Sequence, residues 1–397
     1  MTRPLALAAF TASTALGVGC APLLAALRAG RSGLKPCDFE GSDLATWIGE
    51  VPGIDAVRLP APLAAYDCRN NRLALLGLQA DGFEDVARAA IARHGAERVA
   101  LVLGTSTSGI LSAEAAYRER DASGALPAWF DYRATHNTHS VTAFVRDWLG
   151  LRGPAFTLST ACSSSAKAFA AAERLIGAGL ADAAIVGGVD SLCLTTLYGF
   201  SSLELTSPEP CRPGDAARDG LSIGEAAAFA LLERGERGKG ELLLSGWGES
   251  SDAHHMSAPH PEGRGSRAAM QGALQRAGLR AEDIDYINLH GTATPANDSA
   301  EGAAVAALFG TGVPCSSTKG MTGHTLGAAG AVEAVVCALA LRHGLLPASV
   351  GTRTPDAAIP LPLVLQPRAA PLRHVLSNSF GFGGSNASLV FSLEGRP

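Results

Sequence analysis

Residues 154–178 read as a short apolar strand, a tight turn of small hydroxyl residues and an Ala-rich helix, with one cysteine, Cys162, at the helix start. The first amides of a helix lack intrahelical partners, and the aligned peptide dipoles leave positive potential there. A thiolate is stabilised in such a place, so Cys162 is expected to have a lowered pKa and to act as a nucleophile at neutral pH. The competing reading is a small buried residue, which free cysteines usually are.

The same alternation runs through the chain. Strand patterns lie at 5–10, 98–103, 183–186, 226–232, 241–245, 286–289, 313–316, 373–377 and 387–392. Helical patterns lie at 21–28, 83–94, 266–277, 299–309 and 327–342. Strands alternating with helices predict an α/β protein whose mainly parallel or mixed sheets are covered on both faces. Both parts of the chain repeat the strand–helix–strand order, which points to two related halves, 1–235 and 236–397, without a strict repeat at the residue level. The loop Gly104-Thr-Ser-Thr-Ser-Gly109 resembles a phosphate cradle only superficially, since it lacks Gly-Lys-Ser/Thr. Residues 113–150 form an excursion with Trp129, Tyr132 and the polar run Thr135-His-Asn-Thr-His-Ser140.

A formal net charge of −5 with no basic run gives no sign of nucleic-acid binding. The eight cysteines include no CxxC pair, so neither a zinc site nor a disulfide framework is expected, and a reducing cytoplasm fits. The first twenty residues loosely mimic a secretory signal, with Arg3 and Cys20. Thr11 and Ser13 interrupt the apolar run, so a first strand and helix are the better reading. No membrane span is expected.

Four reactive residues stand at the ends of elements, where ligand chemistry collects in α/β folds: Cys162, His290, Lys319 and His324. With their surroundings they form five blocks. These are Ser159-Thr-Ala-Cys-Ser-Ser164; Cys211-Arg-Pro with Arg218-Asp-Gly220; His290-Gly-Thr-Ala-Thr-Pro295; Lys319-Gly-Met-Thr-Gly-His324 followed by Gly327-Ala-Ala-Gly330; and Asn378-Ser-Phe-Gly-Phe-Gly-Gly384. In this order they resemble the β-ketoacyl-acyl-carrier-protein synthases, the elongating condensing enzymes of the thiolase superfamily, over residues 5–393.

The resemblance implies a thiolase-like layered α-β-α-β-α fold built from two related halves. It implies a decarboxylative Claisen condensation: an acyl group held on Cys162 is attacked by the carbanion left when malonyl-acyl-carrier protein loses carbon dioxide. Covalent capture by cysteine splits the work into two steps. His290 and His324 would stabilise the enolate as charge develops, and Lys319 would support them. The backbone amides of Cys162 and Phe382 match the family's oxyanion pair, and Phe382 a gating aromatic. Thr292 and Thr294 match hydroxyls on the phosphopantetheine arm, which enters as part of the substrate; no bound cofactor or metal is expected. Asp298, Glu301 and Glu333 match acidic positions that brace the loops.

Residue types separate the rivals. Chain-initiating synthases have Asn where His324 stands, degradative thiolases need a second cysteine where Phe382 stands, and chain-length-factor subunits lack the nucleophile. Departures from the family pattern include Gly214 after Cys-Arg-Pro, Thr107 where an apolar residue commonly faces the acyl pocket, and the polar run 135–140. They point to aryl-polyene, polyunsaturated or polyketide-like synthesis, with housekeeping fatty-acid elongation as the alternative. Arg69 and Arg72, three apart on a helical pattern, are expected to contact the acidic carrier protein. The family resemblance also implies a homodimer or a heterodimer with a paralogous chain-length-factor-like subunit.

Overall fold

The computed structural model describes residues 4–393, so Arg3 of the signal-like stretch lies outside the described residues. Ten strands build the main sheet. In chain order they are β1 (Leu5–Ser13), β2 (Val99–Gly104), β3 (Ala155–Leu158), β4 (Ala183–Asp190), β5 (Ala226–Arg234), β6 (Leu242–Ser251), β7 (Tyr286–Asn288), β8 (Cys315–Ser316), β9 (His374–Gly381) and β10 (Ser385–Leu393). β2 and β4 are buried along their whole length, as continuous apolar runs in doubly covered sheets are.

The strands lie in the order β8-β7-β9-β10-β6-β1-β5-β4-β2-β3. Either side of the β6–β1 seam, the strands follow one plan. Numbered from the start of each half, the order inward from the far edge to the seam is third, second, fourth, fifth, first. The first two pairings are parallel and the last two antiparallel in both. A short antiparallel pairing of Leu5 with Leu244 and Ala6 with Leu243 joins them.

The helices used below are α1 (Arg69–Gln79), α2 (Ser164–Gly177), α3 (Arg264–Ala277), α4 (Pro295–Phe309), α5 (Lys319–Thr322) and α6 (Ala329–His343). α2 and α6 share one buried core with β1, β4, β5, β9 and β10, through Phe169, Val335, Val186, Val375 and Phe391. A second core lies on the other face of β2, β4 and β5, under α1, and a third on the other face of β7, β9 and β10, under α3. The layers are therefore helix, sheet, helix, sheet, helix: the thiolase-like arrangement.

α6 is buried from residue 329 to 341. A helix apolar on every side belongs inside a core. The stretch Leu326–His343 is long and apolar enough to cross a membrane, yet 89% of it is buried in the fold.

Several boundaries move. α4 starts at Pro295, not Ser299, with proline at the first helical position, where its missing N–H costs nothing. β4 runs on through Gly187 and Gly188 to Asp190. A Cβ on Gly188 would lie 2.6 Å from Cβ of Ser165 and 2.7 Å from Cα of Ala328, so this glycine lets the central layer approach the strand. The excursion 113–150 overlaps two helices, Ile110–Arg118 and Ser140–Leu149. The second opens with the end of the polar run, which hid its start.

Candidate active site

Each half brings its chemistry to the carboxyl ends of its strands. β3 ends at Leu158. Ala161 then takes a left-handed conformation (φ 53), Cys162 follows, and α2 begins at Ser164. A non-glycine residue at positive φ beside a nucleophile is strain held in place by its surroundings. Gly104 makes room: a Cβ there would fall 2.3 Å from the backbone nitrogen of Ser165. From the other half, β7 delivers His290, and β8 leads through a short loop into α5 and His324.

Cys162, His290, Lys319 and His324 converge. Nε2 of His324 lies 2.9 Å from Sγ of Cys162. The two imidazole rings stand nearly perpendicular, 5.2 Å between centroids. The Lys319 ammonium, 2% exposed, has three protons and three acceptors: a carboxylate oxygen of Glu333, the carbonyl of His290 at 2.5 Å, and Nδ1 of His290 at 3.3 Å. An ammonium can only donate, so Nδ1 of His290 must present its lone pair. The neutral ring therefore carries its proton on Nε2.

Burial pulls both imidazoles well below the usual histidine range, and the charge of Lys319 pulls the same way. Both are neutral at pH 7. The thiol behaves differently from the sequence expectation. Burial pushes it up to about 12, against the Lys319 charge and the backbone N–H of Phe382. Cys162 is thus a thiol at rest: α2 starts two residues later, and desolvation outweighs its dipole. His324 is near enough to carry the proton or to donate to the thiolate.

Cys162, His290 and His324 line a cavity of about 70 Å³ that opens to solvent. Thr292 and Thr294 line it with their hydroxyls 2.9 Å apart, and Phe382 lines it too. Phe382 packs on Phe200 with ring centroids 5.5 Å apart. The acidic residues brace the loops. Glu301 accepts from the N–H groups of His290 and Gly291 (both 2.8 Å), and Asp298 from those of Gly214 (2.8 Å) and Ala293 (3.1 Å). The ligand atoms of Cys162, His290 and His324 all lie within 4.8 Å of one another, a spacing that could hold a metal ion. The ammonium beside His290 opposes a divalent cation there.

Three expected residues are placed elsewhere. Thr107 does not line the cavity: its hydroxyl donates to Asp190 at 2.7 Å. The Gly104–Gly109 loop cradles that carboxylate, with Thr105 Oγ1 and the N–H groups of Ser106 and Thr107 also donating. The loop's likeness to an anion cradle is met by the protein's own anion. Arg69 is 10% exposed and already bonds Glu225 through two nitrogens, Glu50 and Asp55. Arg72 forms a bidentate pair with Asp67. Both cations are neutralised by neighbours, so they form no free basic patch for a carrier. Phe200, Asp252 and the segment 257–259 line the cavity and were not singled out from sequence. Only Asp252, directly after β6, offered a signal.

Two family models match the chain: the N-terminal domain of beta-ketoacyl synthases over residues 74–238 and their C-terminal domain over residues 243–353. The 3-oxoacyl-[acyl-carrier-protein] synthase 2 of Rhizobium meliloti (strain 1021) is 45% identical over 60% of this chain and 61% of its own length. That of Coxiella burnetii is 34% identical over 95% of each. The chain spans about three fifths of the first curated relatives it matches (61%, 63% and 62%). The complex of a ketosynthase (ApeO) with its chain length factor (ApeC) from Xenorhabdus doucetiae contains a chain that superposes with TM-score 0.90, 41% identical, over 98% of each.

Proposed function

The chain belongs to the β-ketoacyl synthase family, and on that premise we propose that it joins an acyl group to malonyl-acyl-carrier protein by decarboxylative Claisen condensation. The observation that carries this is the contact between Cys162 and His324 in the cavity lining, with His290 fixed beside them by Lys319. Sγ of Cys162 attacks the acyl thioester while its proton passes through His324 to the departing carrier thiol. The tetrahedral oxyanion is held by the N–H groups of Cys162 and Phe382. Malonyl thioester then enters along the phosphopantetheine arm, past Thr292 and Thr294. Its C–C bond to the carboxylate breaks, carbon dioxide leaves, and the enolate oxygen is met by Nε2–H of His290 and by His324. The carbanion attacks the acyl-cysteine carbonyl, the thiolate leaves, and β-ketoacyl-acyl-carrier protein is released. No bound cofactor or metal takes part.

The product class is aryl-polyene, polyunsaturated or polyketide-like. Similarity to a ketosynthase solved with its chain length factor supports this, as do Gly214 and the polar run 135–140 among the departures from the family pattern. The second subunit is a paralogous chain-length-factor-like chain or another copy of this one. β3, a half-buried strand at the sheet's edge, has unpaired backbone groups to offer it. Eight free cysteines are in keeping with a cytoplasmic setting.

Intact mass after incubation with saturated and polyenoyl carrier thioesters tests both levels. An adduct that becomes β-ketoacyl product when malonyl-carrier is added supports the reaction. Preference for saturated chains, with polyenes ignored, would favour housekeeping elongation instead. No adduct with any acyl carrier would refute the reaction.

A further inference from the structure

We propose that Lys167 and Ser385 are positioning residues that set the spacing between the two segments of the oxyanion pocket. This rests on the acyl-transfer role of Cys162 argued above. The two N–H groups come from parts of the chain about two hundred residues apart. One belongs to the loop before α2. The other belongs to the three-residue turn Phe382–Gly384, which links β9 to β10 and is closed by the pairing of Gly381 with Ser385. Gly381 lies directly against the nucleophile loop: a Cβ on it would sit 3.0 Å from the nitrogen of Cys162 and from the carbonyl oxygen of Thr160. Backbone contact alone lets the two segments slide, since glycine offers nothing to grip.

A polar relay supplies the grip. Nζ of Lys167, on the first turn of α2, donates to Oγ of Ser385 at 2.6 Å. That hydroxyl lies 3.2 Å from Oγ of Ser163, which in turn contacts the carbonyl of Thr160 at 2.8 Å. The ammonium can only donate. The cluster centres on Ser385, which accepts from Lys167 and from the Ser163 hydroxyl, whose one proton is shared with the Thr160 carbonyl. It ties the residue that closes the Phe382 turn to residues on both sides of Cys162. Lys167 is half-buried, and desolvation lowers its pKa. A long cation placed there with a hydroxyl as its acceptor needs an explanation that packing does not give. Neither side chain lines the cavity, so both act through the amides.

The test separates acyl transfer, which needs an oxyanion pocket, from alkylation of the same thiol by iodoacetamide, which does not. The variants are Lys167→Met, Ser385→Ala and Ser385→Thr in the full chain. We expect Lys167→Met and Ser385→Ala to slow acylation of Cys162 about tenfold or more, a fraction of what loss of a whole oxyanion donor costs. Alkylation should stay within about twofold, and KM for the carrier thioester should hold while kcat falls. Ser385→Thr, which keeps the hydroxyl, should restore the rate. Unchanged acylation, or acylation and alkylation falling in proportion, would overturn the proposal. Should Lys167→Met fail to fold, the two Ser385 variants carry the same comparison. A wild-type chain that alkylates but takes no acyl group would instead overturn the proposed function.

Discussion

At the residue scale, four side chains converge at the candidate site and each was legible. Cys162, His290, Lys319 and His324 are rare residue types among small ones at strand ends, where few structural roles compete for them. What could not be read was the company they keep. Arg69 looked like a free cation because Glu225, 156 positions later, is invisible to any local pattern. Thr107 looked like pocket lining because Asp190 is equally remote. Cys162→Ala should abolish the acyl-enzyme adduct, as intact mass will show. Lys319→Met leaves Glu333 buried without its cation and frees the tautomer of His290. It should cost about 3–5 kcal/mol by urea unfolding, the usual penalty for orphaning one member of a buried pair. It should also slow malonyl decarboxylation more than acyl loading. The histidines set the pH response. Both are held well below 6.5, mainly by burial. Above that value they are neutral in the folded and unfolded chain alike. As pH falls below 6.5 the unfolded chain gains protons there first, so these two groups progressively disfavour folding. Titration of the two imidazoles should therefore leave the rate profile of condensation unchanged above pH 6.5, and a bend near 7 would belong to Glu301, which burial pushes up to about 7. An acid limb centred above 7 would contradict the neutral pair.

At the scale of elements, the nucleophile depends on how closely helices meet. Gly330, at the start of α6, faces the first turn of α2: a Cβ there would lie 2.6 Å from the nitrogen and 2.7 Å from Cβ of Ala166. Backbone cannot swing aside as a flexible side chain can. Gly330→Ala should therefore cost about 1–3 kcal/mol as overpacking, read as a fall in Tm, and should slow iodoacetamide alkylation of Cys162 by shifting its loop. Strands of β-branched and apolar residues were readable from sequence because burial on both faces leaves them no polar alternation. The helix Ser140–Leu149 was not, since its apolar face is read only after the polar segment before it has been set aside.

At the scale of the whole molecule, the repeat that sequence only hinted at is plain in the sheet: one strand order and one set of directions, used twice. Side chains have diverged while backbone pairing has not, because pairing constrains every residue of a strand but identity only its buried face. The exposed edge of β3 predicts a two-chain particle. Sedimentation of the chain, alone and with a co-expressed chain-length-factor-like paralogue, should give one such mass and no monomer of 40.5 kDa at micromolar concentration. The seam has a further consequence for how the protein is made. β1 is made before its partners β5 and β6, so its edges stay bare until residue 226 and beyond have been synthesised. At roughly 5–20 residues per second that wait is on the order of ten to fifty seconds. Throughout it a nine-residue, largely apolar strand must be kept from pairing with strangers, so nascent chains of this protein should be clients of holding chaperones for longer than their final stability would suggest.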